Sequence, residues 1–305
     1  MSHSTADSAR FFRGLIPTKC ILWLYALGVC CSAVAAPDPA AALREQYAAL
    51  GPQLRLSPFG NPLLLASAET PTRVSGDVYA VVDYPSDVVN GGLNNPQHWC
   101  EVLLLHVNTK YCHANVQPSS TTLTVYIGKK TPEDLGSASR VDFNYTALAT
   151  PAHYLTVMLT AKDGPLGTSD YLIRFEAVEV PNGKTFLHLT YAYSVSFTGR
   201  LAMQAYLRTG GAGKVGFTSI GTLADGQPEL IGGVRAVVER NTLRYYLAID
   251  SFLAFVGAPE ATQFEQRLQG WFSAIERYPR QLHDIDRADY VAMKRSEYLR
   301  QQTPR

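Results

Sequence analysis

The chain has 305 residues, with 27 Lys plus Arg against 26 Asp plus Glu and a net charge of +1. Neither sign dominates and no dense basic run interleaves with aromatics, which excludes the electrostatic footprint of a nucleic-acid partner. With 46% hydrophobic residues and no repeat or low-complexity segment, the sequence supports one large core with extensions.

At the N-terminus, Arg10, Arg13 and Lys19 precede the apolar stretch Cys20 to Val34, and Ala33-Val34-Ala35 places small residues where a signal peptidase needs them. The pattern predicts a secretory signal peptide over residues 1–35, cut after Ala35, and hence export to the periplasm. A cut one residue later would put Pro37, which has no N–H, directly after the scissile bond. An uncleaved membrane anchor is the alternative, but the apolar core of about 15 residues is short against the roughly 20 of a spanning helix. A lipoprotein signal at Leu27-Gly28-Val29-Cys30 is a third reading, weakened by Val29, where a small residue normally stands. Once the signal is removed, only Cys100 and Cys112 remain, and two cysteines in an oxidising compartment can pair. Such a bridge closes a small loop, contributing on the order of 2–3 kcal/mol. Two buried free thiols are the alternative.

Beyond the signal, Pro37 to Leu50 is Ala-rich and suits a short helix that Gly51-Pro52 ends. Leu63 to Ala68 and Gly76 to Asp83 read as the first strands, stopped by Tyr84-Pro85. Ser86 is positioned to cap a short helix through Leu93, with Asp87 at its positive end. After Asn94-Asn95-Pro96 and a turn at His98-Trp99, the apolar run Val102 to Val107 reads as a strand buried on both faces or packed under a helix. A period of two then recurs at Leu123, Val125 and Ile127, at Val141, Phe143 and Tyr145, at Leu155, Val157 and Leu159, and at Tyr171, Ile173 and Phe175. It is clearest from Thr185 to Phe197, where six apolar residues alternate with small or polar ones. Pro181-Asn182-Gly183 predicts the hairpin before that strand. Arg200 to Thr209 is left open between strand and helix. Gly210-Gly211-Ala212-Gly213-Lys214 lacks the Ser or Thr of a phosphate loop and reads as a turn before Val215 to Ile220. From Ile231 the period becomes helical, with Val234, Val238, Tyr245, Ile249, Phe252 and Val256 on one stripe, up to Gly257-Ala258-Pro259. Phe264 to Arg277 and Ile285 to Leu299 make two more amphipathic helices, expected to wrap outside the sheet, and Gln301 to Arg305 reads as a disordered tail.

An early helix after the first strand, a run of antiparallel strands and a long helix after the last one resemble the START-like (SRPBCC), helix-grip superfamily of ligand-binding domains. The segments Ser57-Pro58-Phe59-Gly60, Gly76-Asp77-Val78-Tyr79-Ala80, His98-Trp99-Cys100, Leu105-His106-Val107-Asn108-Thr109-Lys110, Arg200 to Tyr206 and Glu239 to Tyr246 look more closely like a family of exported proteobacterial proteins, which supplies no activity or catalytic residue to carry over. The resemblance implies an α+β fold, a curved antiparallel sheet closed by a long C-terminal helix, with further C-terminal helices. It divides the chain into a signal peptide (1–35), an N-terminal extension (36–75), a START-like ligand-binding domain (76–257) and a C-terminal helical extension (258–305). In that superfamily the space between sheet and helix holds lipids, sterols, polyketides or other apolar molecules, and some members are cyclases or hydrolases.

On this frame the candidate ligand-binding residues are Phe143, Leu155, Phe175, Tyr191, Tyr193, Tyr245, Ile249 and Phe252, binding by apolar burial with Tyr hydroxyls orienting a polar end. The alternative is that they simply fill a close-packed core. Arg240 and Arg244 are candidates to clamp a carboxylate or phosphate at the cavity mouth; the competing reading pairs them with Glu239 or a strand carboxylate. His98, His106, His113, His153 and His188 contain no pair at metal-ligand spacing, so no metal and no cofactor is expected. His106, near Glu101 and Asn108, reads as a satisfied buried group, or else as a polar anchor or general base facing the cavity. No Gly-x-Ser-x-Gly elbow is present, and no catalytic residue is assigned. The sequence therefore predicts binding, carriage or sensing of an apolar or amphipathic small molecule. A cyclase or hydrolase using His106 or Asp142 is one alternative. A structural or envelope-assembly protein is the other, with the C-terminal helices as its protein- or membrane-facing surface.

Overall fold

The computed structural model describes residues 38–150, 153–208 and 213–302, so the predicted signal segment, Gly210-Gly211-Ala212 of the glycine-rich turn and the last three residues lie outside the described residues. The sheet is eight-stranded and antiparallel throughout, in the order β1 (Leu63–Glu69), β2 (Arg73–Val82), β8 (Lys184–Val195), β7 (Thr168–Val180), β6 (Tyr154–Asp163), β5 (Ser139–Thr150), β4 (Ser120–Ile127) and β3 (Thr109–Gln117). It curves without closing into a barrel. β1, from the stretch read as an extension, forms one edge, and β2 begins three residues before the boundary expected at Gly76. The period-two residues of β5, β6, β7 and β8 are buried on the inner face, as alternation requires. At the β7–β8 hairpin, Asn182 and Gly183 both have φ near +65 to +70° (69° and 66°), the left-handed pair that a tight turn demands.

On the outer face lies α1 (Pro39–Arg55), capped by Asp38, whose Oδ1 accepts from the Ala40 N–H at 3.1 Å. It does not stop at Gly51-Pro52 as expected. One more turn adds Leu54 to the buried cluster that Ala40 and Leu43 form with Val178, Val180 and Phe186, and that burial outweighs the N–H missing at Pro52.

Between β2 and β3 run α2 (Ser86–Leu93) and α3 (Pro96–Leu105). Ser86 is the first helical residue and not the cap; its hydroxyl lies 2.9 Å from His153 Nδ1. α3 replaces the strand expected at Val102 to Val107. Asn95 caps it and Pro96 opens it, while Trp99, Cys100 and Val102 to Leu105 are all buried, so no polar stripe marks the helical period. Cys100 on α3 is bonded to Cys112 on β3 with Cα atoms 5.1 Å apart, the predicted disulfide.

After β8 the chain forms α4 (Phe197–Arg208), which settles the open segment as helix, then a small hairpin of β9 (Ser219–Thr222) and β10 (Pro228–Leu230). The long α5 (Gly233–Ala254) grips the inner face over β1, β2 and β8. Gly76 permits this approach, because a Cβ there would collide with Thr242. α6 (Glu260–Ile275), α7 (Pro279–Leu282) and α8 (Arg287–Gln302) do not wrap outside the sheet. α6 packs on α5 and α3, and α8 packs on β3, α3 and α6, thickening the helical layer. Gln301, expected in a disordered tail, ends α8 and accepts from the Cys112 N–H at 3.2 Å. α8 is also fastened by a buried triad in which Glu297 pairs with Lys110 at 3.1 Å and Lys294 at 2.7 Å. No described helix is long and apolar enough to cross a membrane.

Candidate functional site

Two different neighbourhoods meet between the inner face and α5. Toward α2 and α3 the core is apolar: Phe175 meets Trp99 at 5.9 Å between ring centroids, Phe252 meets His98 at 5.4 Å, and Leu155 and Ile249 are fully buried. Toward the other end of β7 and β8 the buried surface turns polar and aromatic. Tyr171 stacks on Tyr193 at 5.4 Å and stands edge-on to Phe143 at 6.3 Å, while Tyr191 meets Tyr245 of α5 at 5.2 Å. Tyr245 in turn stacks on His106 at 4.9 Å.

The eight predicted lining residues are thus brought together, but as two groups. Phe143, Tyr191, Tyr193 and Tyr245 belong to the tyrosine end, and Phe175, Ile249 and Phe252 to the apolar end with Leu155 in the same core. Tyr171, absent from the predicted set, is the ring that joins Tyr191, Tyr193 and Phe143. Its place on the inner face follows from the alternation of β7; its centrality depends on ring contacts across three strands, which no single-strand period reveals.

His106, the residue that follows α3, supplies the unusual chemistry. Burial, with the Arg244 and Lys294 charges adding to it, holds its pKa well below the ordinary histidine value, so the ring is neutral. The Asn108 N–H donates to Nδ1 at 3.2 Å, which leaves the ring proton on Nε2. That Nε2–H is buried with no hydrogen-bond partner among the described residues. The Tyr145 hydroxyl, on the same inner face, is likewise buried and unpartnered, and burial pushes its pKa up to about 12. Tyr191 and Tyr245 are also pushed up by burial, so their hydroxyls stay protonated. The interior therefore offers donors to a ligand's acceptor oxygen. It offers no base at His106, whose Nδ1 lone pair is already engaged. Asp142, the other candidate base, faces outward and is exposed, bonded to Thr124 at 2.7 Å and Arg140 at 3.1 Å.

The predicted arginines stand at the edge of the tyrosine end. Arg240 donates to Val215 O at 3.2 Å. Arg244 donates through Nη1 to Asn241 Oδ1 at 3.2 Å and through Nη2 to Asp284 at 2.6 Å. Its partner is thus a carboxylate from the segment joining α7 to α8, and not Glu239 or a strand acid. Glu239 accepts instead from Ser67, Thr218 and the Phe217 N–H. Asp284 is also paired with Lys130 at 2.5 Å and lies 3.9 Å from Lys214. Burial would raise the Asp284 pKa, but Arg244 and Lys130 outweigh it and hold the carboxylate low. Lys130, Lys214 and Asp284 come from three separate connections, so their meeting carried no sequence signal.

No family model matches the chain, and no curated protein does. Solved structures similar to it include norcoclaurine synthase from Thalictrum flavum, 12% identical over 47% of this chain and 89% of that one, with a TM-score of 0.33. Human StAR-related lipid transfer protein 5 is 12% identical over 52% of this chain and 83% of that one, with a TM-score of 0.30. Zhui aromatase/cyclase from a Streptomyces species is 11% identical over 70% of this chain and 94% of that one, with a TM-score of 0.29. Likenesses of that size carry no functional weight. With β1 and β2 and then two short helices, α2 and α3, ahead of six successive antiparallel strands, and a long helix gripping the inner face after the last of them, the described chain has an α+β helix-grip fold.

Proposed function

We propose that this is an exported, periplasmic protein that binds an apolar or amphipathic small molecule between the sheet and α5, as carrier or sensor, without turning it over. The observation that carries the reading is the neutral, buried His106, stacked on Tyr245, whose Nε2–H has no partner among the described residues. An unpaired buried donor costs roughly 1–3 kcal/mol, and a ligand oxygen accepting from it would recover that cost. The surrounding rings supply apolar area at about 25 cal/mol per Å2 and orient a polar group through their hydroxyls. Export rests on the sequence of residues 1–35 alone. The donor character of His106 and the outward position of Asp142 support the part of this reading that excludes turnover at those two residues.

Native mass spectrometry of the purified protein, followed by organic extraction, tests this reading. The expected result is a stoichiometric mass excess that extraction removes and that identifies as an apolar or amphipathic compound. A reproducibly empty protein that also ignores an apolar fluorescent probe would overturn it.

A further inference from the structure

Close to His106 and Tyr245 lies a group of charges that does not balance. Asp284 is surrounded by Arg244 at 2.6 Å, Lys130 at 2.5 Å and Lys214 at 3.9 Å, three cations to one carboxylate. Glu239 lies nearby on α5 but is committed to donors from Ser67, Phe217 and Thr218. The side chains of Arg244 and Asp284 are 3% and 5% exposed, whereas those of Lys130 and Lys214 are 37% and 32% exposed. The buried pair is therefore a fixed base, and the two lysines face solvent around it. Arg244 Nε is itself buried and has no hydrogen-bond partner among the described residues.

The cluster is also wired to the interior. Asn241 accepts from Arg244, and Tyr245, next to Arg244 on α5, stacks on His106 and meets Tyr191 edge-on at 5.2 Å. A molecule with its tail among the tyrosines would bring its head to these cations.

We propose that Lys130, Lys214 and Arg244 around Asp284 form the head-group site for an anionic amphiphile, one carrying a carboxylate or phosphate, whose tail enters the interior beside Tyr191 and Tyr245. This rests on the binding reading above and narrows its ligand class. The two lysines turn to the incoming anion while Arg244 stays with Asp284. Charge-assisted hydrogen bonds are the strong ones, and at partly exposed lysines they are weakened by salt.

The test is to titrate the purified protein with dodecanoate, dodecyl phosphate, dodecan-1-ol and inorganic phosphate, at low and high salt. The two anionic amphiphiles are expected to bind roughly tenfold more tightly than the alcohol, with the gap shrinking at high salt. The double variant Lys130→Gln, Lys214→Gln is expected to weaken binding of the anions about tenfold and so narrow that gap. Should the double variant fail to fold, the salt dependence of the wild-type gap decides. Equal affinity for the alcohol and the anions would overturn the head-group site and leave the apolar binding reading standing. Inorganic phosphate binding as tightly as dodecyl phosphate would overturn the role of the tail. No binding of any amphiphile would overturn the binding reading itself, and the head-group site with it.

Discussion

Two histidines buried on opposite faces of one sheet have opposite fates. His188, on the outer face beneath α1, sits between two carboxylates, with Nε2 3.0 Å from Asp77 and Nδ1 3.3 Å from Glu176. Thr190 donates to Asp77 at 2.7 Å, Tyr154 to Glu176 at 2.9 Å, and Tyr79 stacks on the imidazole at 4.3 Å. Burial alone would lower the His188 pKa, but Asp77 and Glu176 outweigh it and raise it. His106, on the inner face, is neutral and holds a donor that nothing accepts. The outer cluster satisfies its polar groups internally and so reads as architecture. The inner one engages Nδ1 with the Asn108 N–H but leaves Nε2–H unsatisfied, and the proposed ligand role rests on that atom.

The partnered regions should fail by unfolding and the unpartnered one by losing binding, and that contrast can be broken at several points. Glu297→Ala strands Lys110 and Lys294 without their shared carboxylate in a dry interior. A loss of about 3–5 kcal/mol in denaturant unfolding is expected, with α8 the first element to exchange its amide protons. Reducing the Cys100–Cys112 bridge should cost about 2–3 kcal/mol in the same assay. Because α3 carries His106 at its end, reduction should also weaken ligand binding, which the Glu297 change tests only through global stability.

His188→Ala is expected to cost about 2 kcal/mol, by leaving Asp77 and Glu176 short of a partner. The pH dependence gives the sign. The His188 pKa is raised when folded, so its contribution is complete below 6.5 and is lost as pH rises through the folded value. The His106 pKa is lowered when folded, so stability is lost as pH falls from 6.5 toward the folded value. Thermal melts across pH should therefore show His188→Ala flattening the alkaline side of the curve and His106→Phe flattening the acid side. At neutral pH, His106→Phe should cost about 1 kcal/mol, since it removes an unsatisfied donor but also the acceptor of the Asn108 N–H. It should nonetheless weaken ligand binding at least about tenfold in a probe-displacement titration, consistent with one lost hydrogen bond in a dry site.

Much of the frame was legible because strands with one buried face advertise a period of two; β4 to β8 lie where the alternation put them, and α5 follows the stripe from Val234 to Phe252. α3 was misread because a helix buried nearly all round loses its polar stripe, leaving Val102 to Val107 indistinguishable from a two-faced strand. The outer cluster was invisible for a related reason. His188 and Thr190 fall on the face of β8 that alternation assigns to solvent, and only α1, lying across that face, turns them into a buried pair with Asp77 and Glu176. At the candidate site, the tyrosines were legible as inward-facing residues. The tautomer of His106 and the pairing of Arg244 with Asp284 were not, since each depends on atoms brought together by tertiary folding.

The most direct measurement is nitrogen NMR of the histidine rings during titration with dodecan-1-ol, a ligand whose hydroxyl can accept from an imidazole N–H. The account predicts that the His106 Nε2–H resonance shifts with saturation while the His188 ring, sealed between its two carboxylates, stays where it was. A His106 resonance that does not move while dodecan-1-ol demonstrably binds would contradict it.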